Sequence, residues 1–203
     1  MKLVIATHNK DKFREIRNKF ASVGSLELVP LNEFPGAPEV VEDGATFLEN
    51  ARKKADAIAR FTGQSSMADD SGLVVDALDG RPGIFSARYG GPGATDLERN
   101  RKILDEMRDV PAGRREARFV CVIAIVFPDG RCLTAEGTCE GVIAESMSGE
   151  HGFGYDPIFF LPSLGKTMAE LPLDEKNRIS HRARALDRAR EILMKMSSGR
   201  EAP

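Results

Sequence analysis

Cysteine is scarce in this chain, and neither a long apolar run nor an excess of one charge is present. Three cysteines, Cys121, Cys132 and Cys139, stand among 203 residues. Odd in number and without a C-x-x-C spacing, they support neither a disulfide framework nor a zinc site. Cys121 falls inside the apolar run 119–127, where a thiol packs as a small hydrophobe. No apolar stretch approaches the roughly 20 residues that span a bilayer. The opening MKLVIATHNK turns polar too soon for a signal peptide, so the expected setting is the cytoplasm, away from any membrane. Lys and Arg number 29 against 31 Asp and Glu, a formal net charge of −2. That balance leaves no electrostatic footprint for nucleic acid or a lipid surface. A polyanionic partner must therefore be met by a local cluster of cations, which points to a small ligand in a pocket. Internal repeats and low-complexity linkers are missing too. The expectation is one mixed α/β domain over 1–203, built as two lobes, with a frayed tail at 197–203.

Apolar periodicity supplies the elements. Residues 2–6 form a β-rich run that ends in Thr7-His8-Asn9, and a helix follows with Phe13, Ile16 and Phe20 on one stripe. Gly24 ends it, and 26–31 reads as a second strand. Such a βαβ-like opening places ligands at strand C-termini and helix N-termini. A Pro-rich acidic loop, 32–44, leads to an amphipathic helix over about 45–61 that stops at Gly63. Residues 67–77 read as a strand interrupted by Asp-Asp-Ser-Gly. Thr95 caps a helix over 95–107, with Glu98 completing a capping box. Strands at 118–127 and 131–143 pair across Pro128-Asp129-Gly130. An apolar run at 158–161 and a last helix over 180–196 close the chain.

Four places defy their surroundings. Asp69 and Asp70 sit between apolar strand residues, where adjacent carboxylates are costly unless neutralised. Either they are solvated in a turn, since Asp-Ser-Gly is good turn chemistry, or they hold a divalent cation. Glu42-Asp43-Gly44 precedes the second helix, where acids either cap the helix or add to a metal site. On a 100° wheel with Phe47 at zero, Ile58, Ala51 and Ala55 fall at about 20°, 40° and 80°, and Phe61 at about −40°. Lys54 falls near −20°, inside that apolar arc, with Asn50 beside it near −60°. Such a lysine either snorkels to water or meets an anion such as phosphate. Ser180-His181-Arg182 opens the last helix with Ser180 as N-cap and cations where the helix dipole disfavours them. A bound anion removes that conflict, as does exposure to solvent. Gly165-Lys166-Thr167 is not a P-loop, because Phe160 stands where the motif needs glycine; Lys166 is expected at the surface.

Five separated motifs run in one order: Ala6-Thr7-His8-Asn9-Lys10-Asp11-Lys12; Glu42-Asp43-Gly44 through Glu49-Asn50-Ala51; Ala68-Asp69-Asp70-Ser71-Gly72 with Ser86-Ala87-Arg88-Tyr89; Gly152-Phe153-Gly154-Tyr155-Asp156-Pro157; and Ile179-Ser180-His181-Arg182. In this the chain resembles the inosine triphosphate pyrophosphatases, the Ham1-like hydrolases of non-canonical purine nucleotides. The resemblance spans residues 6 to 182. It implies an elongated mixed α/β sheet with flanking helices, two lobes around a substrate cleft, and a homodimer. It implies cleavage of ITP, dITP and XTP between the α- and β-phosphates, cleansing the nucleotide pool before incorporation into DNA or RNA. By motif, Thr7, His8, Asn9, Lys10, Asp11 and Lys12 cradle the triphosphate. Glu42 and Asp70 hold Mg²⁺, with Asp69 nearby and Mn²⁺ a candidate substitute. Asp70 doubles as the base for water, or serves chiefly as a metal ligand. Lys54 contacts phosphate. Ser71, Phe153, Gly154, Tyr155, Asp156, Lys176, His181 and Arg182 surround the substrate, the later ones chiefly at base and sugar, with Phe153 or Tyr155 stacking on the base. Two rivals stand beside this reading: a Maf-like pyrophosphatase preferring other bases, and a regulator that binds a triphosphate without cleaving it.

Overall fold

A computed structural model describes residues 1–197 apart from 22 and 25, and gives the backbone alone at Asp11 and Ser197. The tail expected to fray lies outside the described residues, save for the helical backbone of Ser197. In chain order the elements are β1 (Lys2–Ile5), α1 (Lys10–Phe20), β2 (Glu27–Pro30), α2 (Phe47–Thr62), β3 (Ser65–Val75), α3 (Asp96–Glu106), β4 (Glu116–Val126), β5 (Cys132–Ile143), β6 (Phe159–Leu161), β7 (Lys166–Thr167), α4 (Leu173–Ile179) and α5 (His181–Ser197). The strands form one mixed sheet in the order β2-β1-β3-β4-β5-β6-β7. β1 pairs parallel with β2 and β3, while β6 pairs antiparallel with β5 and β7. Among the described residues no helix is long and apolar enough to cross a membrane.

Two compact units result. The first holds Met1–Asp70, Cys121–Gly137 and Arg182 onward; the second holds Ser71–Val120 and Thr138–His181. In the first unit, side chains alternate along each strand and so sort onto two faces. Leu3, Ile5 and Met67 pack with Cys121, Ile123 and Ile125, under Ile16 and Phe20 of α1 and Ala185, Leu186 and Leu193 of α5. Val4 packs with Val29, Leu31 and Ile58, and Ala68 with Ala124, Val126, Ala51, Ala55 and Ala59. Helices therefore cover both faces, α1 and α5 on one and α2 on the other. That is why β4 reads as an almost unbroken apolar run rather than an alternating one. Cys121 is fully buried, as a small hydrophobe should be. The 128–130 turn closes where expected: Phe127 N–H donates to the Arg131 carbonyl at 2.9 Å.

The second unit packs Ile103 of α3 and Met107, which caps its C-terminus, against Leu73, Val75, Ala117, Phe119 and Phe159. Thr95 caps α3 through the Glu98 N–H at 3.2 Å, and Glu98 Oε2 returns the bond to Thr95 N–H at 2.8 Å. Arg115, buried here, donates to the carbonyls of Met107, Val110, Ile143 and Ala144 and so ties α3's exit to the end of β5. Lys166 is exposed on β7, as expected. Ser180, extended at φ −63° and ψ 155°, stands directly before the last helix, at the N-cap position expected, but it also closes a helix that was not expected. Periodicity missed α4, and Ser180 ends that helix, its N–H donating to the Lys176 carbonyl at 2.9 Å. α5 begins one residue later, at His181.

Candidate active site

The acidic pair does not lie in a turn. β3 runs unbroken from Ser65 to Val75, and Asp69 and Asp70 are only 6% and 7% exposed within it. Solvated aspartates are thereby excluded. Being neighbours in a strand, the two carboxylates point to opposite faces, each into its own cluster of cations.

On the α1 and α5 face, Lys12 Nζ donates to Asp69 Oδ2 at 2.8 Å. Arg182 Nε lies 3.6 Å from the same oxygen, and Arg182 Nη1 donates to Glu15 at 2.9 Å. Burial alone pushes the Asp69 carboxyl toward its neutral form. The charges of Lys12, Arg182 and Lys54 outweigh that and hold its pKa well below the carboxylate range. Burial likewise disfavours the Arg182 cation, and Asp69 and Glu15 keep it protonated. Arg182 thus meets the helix dipole from a buried position with acidic partners, not in solvent. Glu15 carried no signal of function in the sequence beyond its place three residues after Lys12, on the same side of α1.

On the α2 face, Lys54 pairs with Glu42 and stands 3.9 Å from Asp70 Oδ1. Its side chain is 16% exposed, so it does not snorkel to water. Asn50 Nδ2 donates to Asp70 Oδ2 at 3.0 Å. Glu42 and Asp43 do not cap α2. Thr46 does, accepting from Glu49 N–H at 3.1 Å, which frees Glu42 for Lys54 and Asp43 for Lys53. Phe61, placed in the apolar arc by the wheel, is exposed: the −40° to −60° edge of α2 is covered at Asn50 but not at the helix's last turn.

The three carboxylates expected around a metal are consequently not one group. Among the described residues no set of three His, Cys, Asp or Glu side chains gathers as for a metal ion. Glu42 and Asp70 converge on Lys54, while Asp69 faces Lys12 and Arg182.

Thr7, His8, Asn9 and Lys10 occupy the turn from β1 into α1. Thr7 Oγ1 accepts from Asn9 N–H at 3.2 Å, and Asn9 Oδ1 caps the helix by accepting from Lys12 N–H at 3.1 Å. Asp11 lies in the first turn of α1, its side chain outside the described residues. Exposed His8 and Lys10 beside a helix N-terminus make a region suited to anions.

The remaining candidates belong to the second unit. Ser71 is half-buried in β3. Asp156 Oδ2 accepts from Lys176 Nζ at 2.6 Å and from Phe153 N–H at 2.9 Å, and Lys176 lies 4.4 Å from the centroid of the Phe153 ring. Gly152 is required here: at φ +81° a Cβ would stand 2.1 Å from Asp156 Oδ2. The two aromatics divide their roles. Tyr155, 5% exposed, donates to the Ser86 carbonyl at 2.8 Å and belongs to the core, whereas Phe153 is 39% exposed. Gly154 is gripped on both sides by α3. Its N–H donates to Asp96 Oδ2 at 2.7 Å, and its carbonyl accepts from Asn100 Nδ2 at 2.8 Å. Neither α3 residue was flagged by the sequence, since both look like ordinary helix surface. His181 stacks on Phe119 with ring centroids 4.8 Å apart.

The Ham1 family model matches residues 3–192. A Desulforamulus reducens protein named dITP/XTP pyrophosphatase is 53% identical over 196 residues, covering 97% of each chain. A Geobacillus kaustophilus protein of the same name is 52% identical over 189 residues, covering 93% of this chain and 92% of its own. Among solved structures, a Ham1 protein from Coxiella burnetii superposes with a TM-score of 0.91 at 41% identity, covering 96% of this chain and 99% of that one. A Mycobacterium abscessus nucleoside-triphosphatase, also titled dITP/XTP pyrophosphatase, gives 0.80 at 42% identity, covering 93% and 97%. With paired clusters on β3, the β1–α1 turn and the Gly152–Asp156 segment all inside the matched span, the chain belongs to the Ham1 family.

Proposed function

We propose that this chain hydrolyses dITP, XTP and ITP between the α- and β-phosphates, releasing the monophosphate and pyrophosphate. One observation carries the reading: three cations, Lys12, Lys54 and Arg182, are held by acidic partners around a single strand whose neighbour, β1, runs into a helix N-terminus. A triphosphate needs that density of positive charge, and the near-neutral chain supplies it locally. The dITP/XTP pyrophosphatase name borne by relatives at 53% and 52% identity supports dITP and XTP as substrates.

In this scheme the Thr7–Lys12 turn takes the phosphates, with Lys12 and Lys54 offsetting the charge that grows on the departing pyrophosphate. Glu42 and Asp70 are hard oxygen donors converging on one ammonium, and they fit Mg²⁺, which uses one or two carboxylates and completes its shell with water and substrate phosphate. When bound, Mg²⁺, or Mn²⁺ in its place, neutralises phosphate oxygens and makes water more acidic. Asp69 stands apart from that pair and serves by holding Lys12 and Arg182. Asp70, fixed by Asn50, orients water and accepts its proton. In the second unit, the exposed Phe153 ring is suited to stacking on a purine base, with Lys176 and Asp156 fixing its loop. Donors from His181 and nearby backbone meet the 6-oxo group of inosine and xanthine, leaving the adenine amino group unpaired.

The enzyme acts in the cytoplasm, on the nucleotide pool that polymerases draw from, as a homodimer; a sedimenting mass of one chain would refute the dimer. The reaction is tested by separating the products of XTP by ion exchange in Mg²⁺. Equimolar XMP and pyrophosphate are expected. Orthophosphate with XDP, or tight binding with no turnover, would sink the proposal.

A further inference from the structure

Asn50 is fully buried in α2, in a stripe otherwise made of Ala51, Ala55, Ile58 and Ala59. Packing does not explain it. Asparagine is a mediocre helix former, and a buried amide is costly unless both its ends are satisfied. Here both are. Nδ2 donates to Asp70 Oδ2 at 3.0 Å, and Oδ1 accepts from Gly44 N–H at 2.8 Å. One side chain therefore ties the strand carboxylate to the loop that carries Glu42.

The two bonds have opposite polarity, and this restricts the residue. Aspartate has the same shape but would present a second carboxylate to Asp70. Glutamine is a methylene longer, and leucine bonds to neither partner. The loop is matched to the amide as well: a Cβ on Gly44 would lie 2.8 Å from Asn50 Oδ1 and 2.8 Å from Glu49 Cβ. By engaging Oδ2, Asn50 leaves Asp70 Oδ1 turned toward Lys54, 3.9 Å away.

We propose that Asn50 is the positioning residue of this site, locking the Asp70 carboxylate and the Glu42 loop into one frame through the two faces of its amide. The proposal rests on the pyrophosphatase reading for its kinetic consequence alone; the frame itself stands on the two hydrogen bonds of Asn50. Residues that orient ligands and bases in this way cost about 10–100-fold when replaced.

The test compares wild type with Asn50→Leu in three ways: kcat and KM on XTP in Mg²⁺, Mn²⁺ binding without nucleotide by electron paramagnetic resonance, and a circular-dichroism melt. The leucine variant is expected to lose about 10–100-fold in kcat and about tenfold in Mn²⁺ affinity, with KM within about threefold of wild type. Unchanged kcat and Mn²⁺ affinity, or a loss confined to KM, overturns the proposal. Should wild type itself fail to cleave XTP, the function falls and the Mn²⁺ comparison judges Asn50 alone. If Asn50→Leu does not fold, Gly44→Ala takes its place, because the added methyl displaces the same amide. A kcat-selective loss there supports the role, and wild-type kinetics there overturns it.

Discussion

Lys54→Met puts the α2 face of the site under direct strain. The ammonium stands between Glu42 and Asp70, 3.9 Å from the latter. At that spacing two unit charges attract by about 4 kcal/mol at an effective dielectric of about 20. The Lys54 side chain is 16% exposed and that of Asp70 10%, so screening and desolvation reduce the net stabilisation to about 2 kcal/mol, between surface and buried pairs. For a chain of this length about 1 kcal/mol shifts Tm by roughly 2–4 °C, so the variant should melt about 4–8 °C below wild type in EDTA. Mg²⁺ should then recover much of that loss, because the two carboxylates no longer have an ammonium between them. A cation present at about 20 times its Kd adds about 1.8 kcal/mol. The Mg²⁺-induced rise in Tm should therefore be several degrees larger in Lys54→Met than in wild type, although the variant turns XTP over about 100-fold more slowly for want of a phosphate contact. Melts with and without Mg²⁺ decide it. An unchanged Tm in EDTA, or equal Mg²⁺ responses in both proteins, refutes the claim that Glu42 and Asp70 form one site around Lys54.

Asp70→Asn should lower kcat on XTP by about 10²–10⁴-fold with the fold intact, since an amide oxygen can still accept from Asn50; turnover close to wild type removes Asp70 from the mechanism. Asn100→Ala frees the Gly154 carbonyl and should raise KM for XTP and narrow its preference over ATP, with kcat little changed; a loss in kcat alone contradicts a role at the base. Both tyrosines of the chain should titrate late. Burial, with the neighbouring Glu106 carboxylate, pushes Tyr89 up to about 12, and burial pushes Tyr155 higher still. The fold thus favours the neutral phenols. That stabilisation is fully present below the ordinary tyrosine pKa of about 10 and is lost as pH rises through about 12. Ultraviolet difference absorbance should show little tyrosinate in the native protein at about pH 10, where the unfolded chain shows about half; a native step at the ordinary value contradicts the burial argument.

Much of this was legible in the residues. The β1–α1–β2 opening, the Thr95–Glu98 capping box and the hairpin turn at 128–130 follow from local chemistry that tertiary contacts did not override. Lys54 betrayed itself by its angle on a helix, because burial of a charge leaves a trace in periodicity. Asp69 and Asp70 were found but misgrouped. Reading a turn at Asp-Ser-Gly hid the strand alternation that separates them, and with it the division between a cation-holding aspartate and a site aspartate. Tyr155 and Phe153 sit two residues apart, and the apolar cluster around Leu73, Ile103 and Phe159, with the Ser86 carbonyl, all distant in sequence, makes one core while the other stays at the surface. Glu15, Asp96 and Asn100 act through partners remote in the chain, so no local pattern marked them; Asn50 showed beside the apolar arc of its helix, but its bond to Asp70, twenty residues on, did not. α4 was missed because its seven residues are too short for a period to show.

Hydrolysis of non-standard purine triphosphates at a site built on β3 has a decisive assay. It is tested most directly by kcat/KM for pyrophosphate release from XTP, dITP, ITP, GTP, ATP and dTTP, each in Mg²⁺ and in EDTA. Release is expected largely from the first three and is abolished by EDTA. Comparable rates on the standard nucleotides, or release that persists without metal, would contradict it.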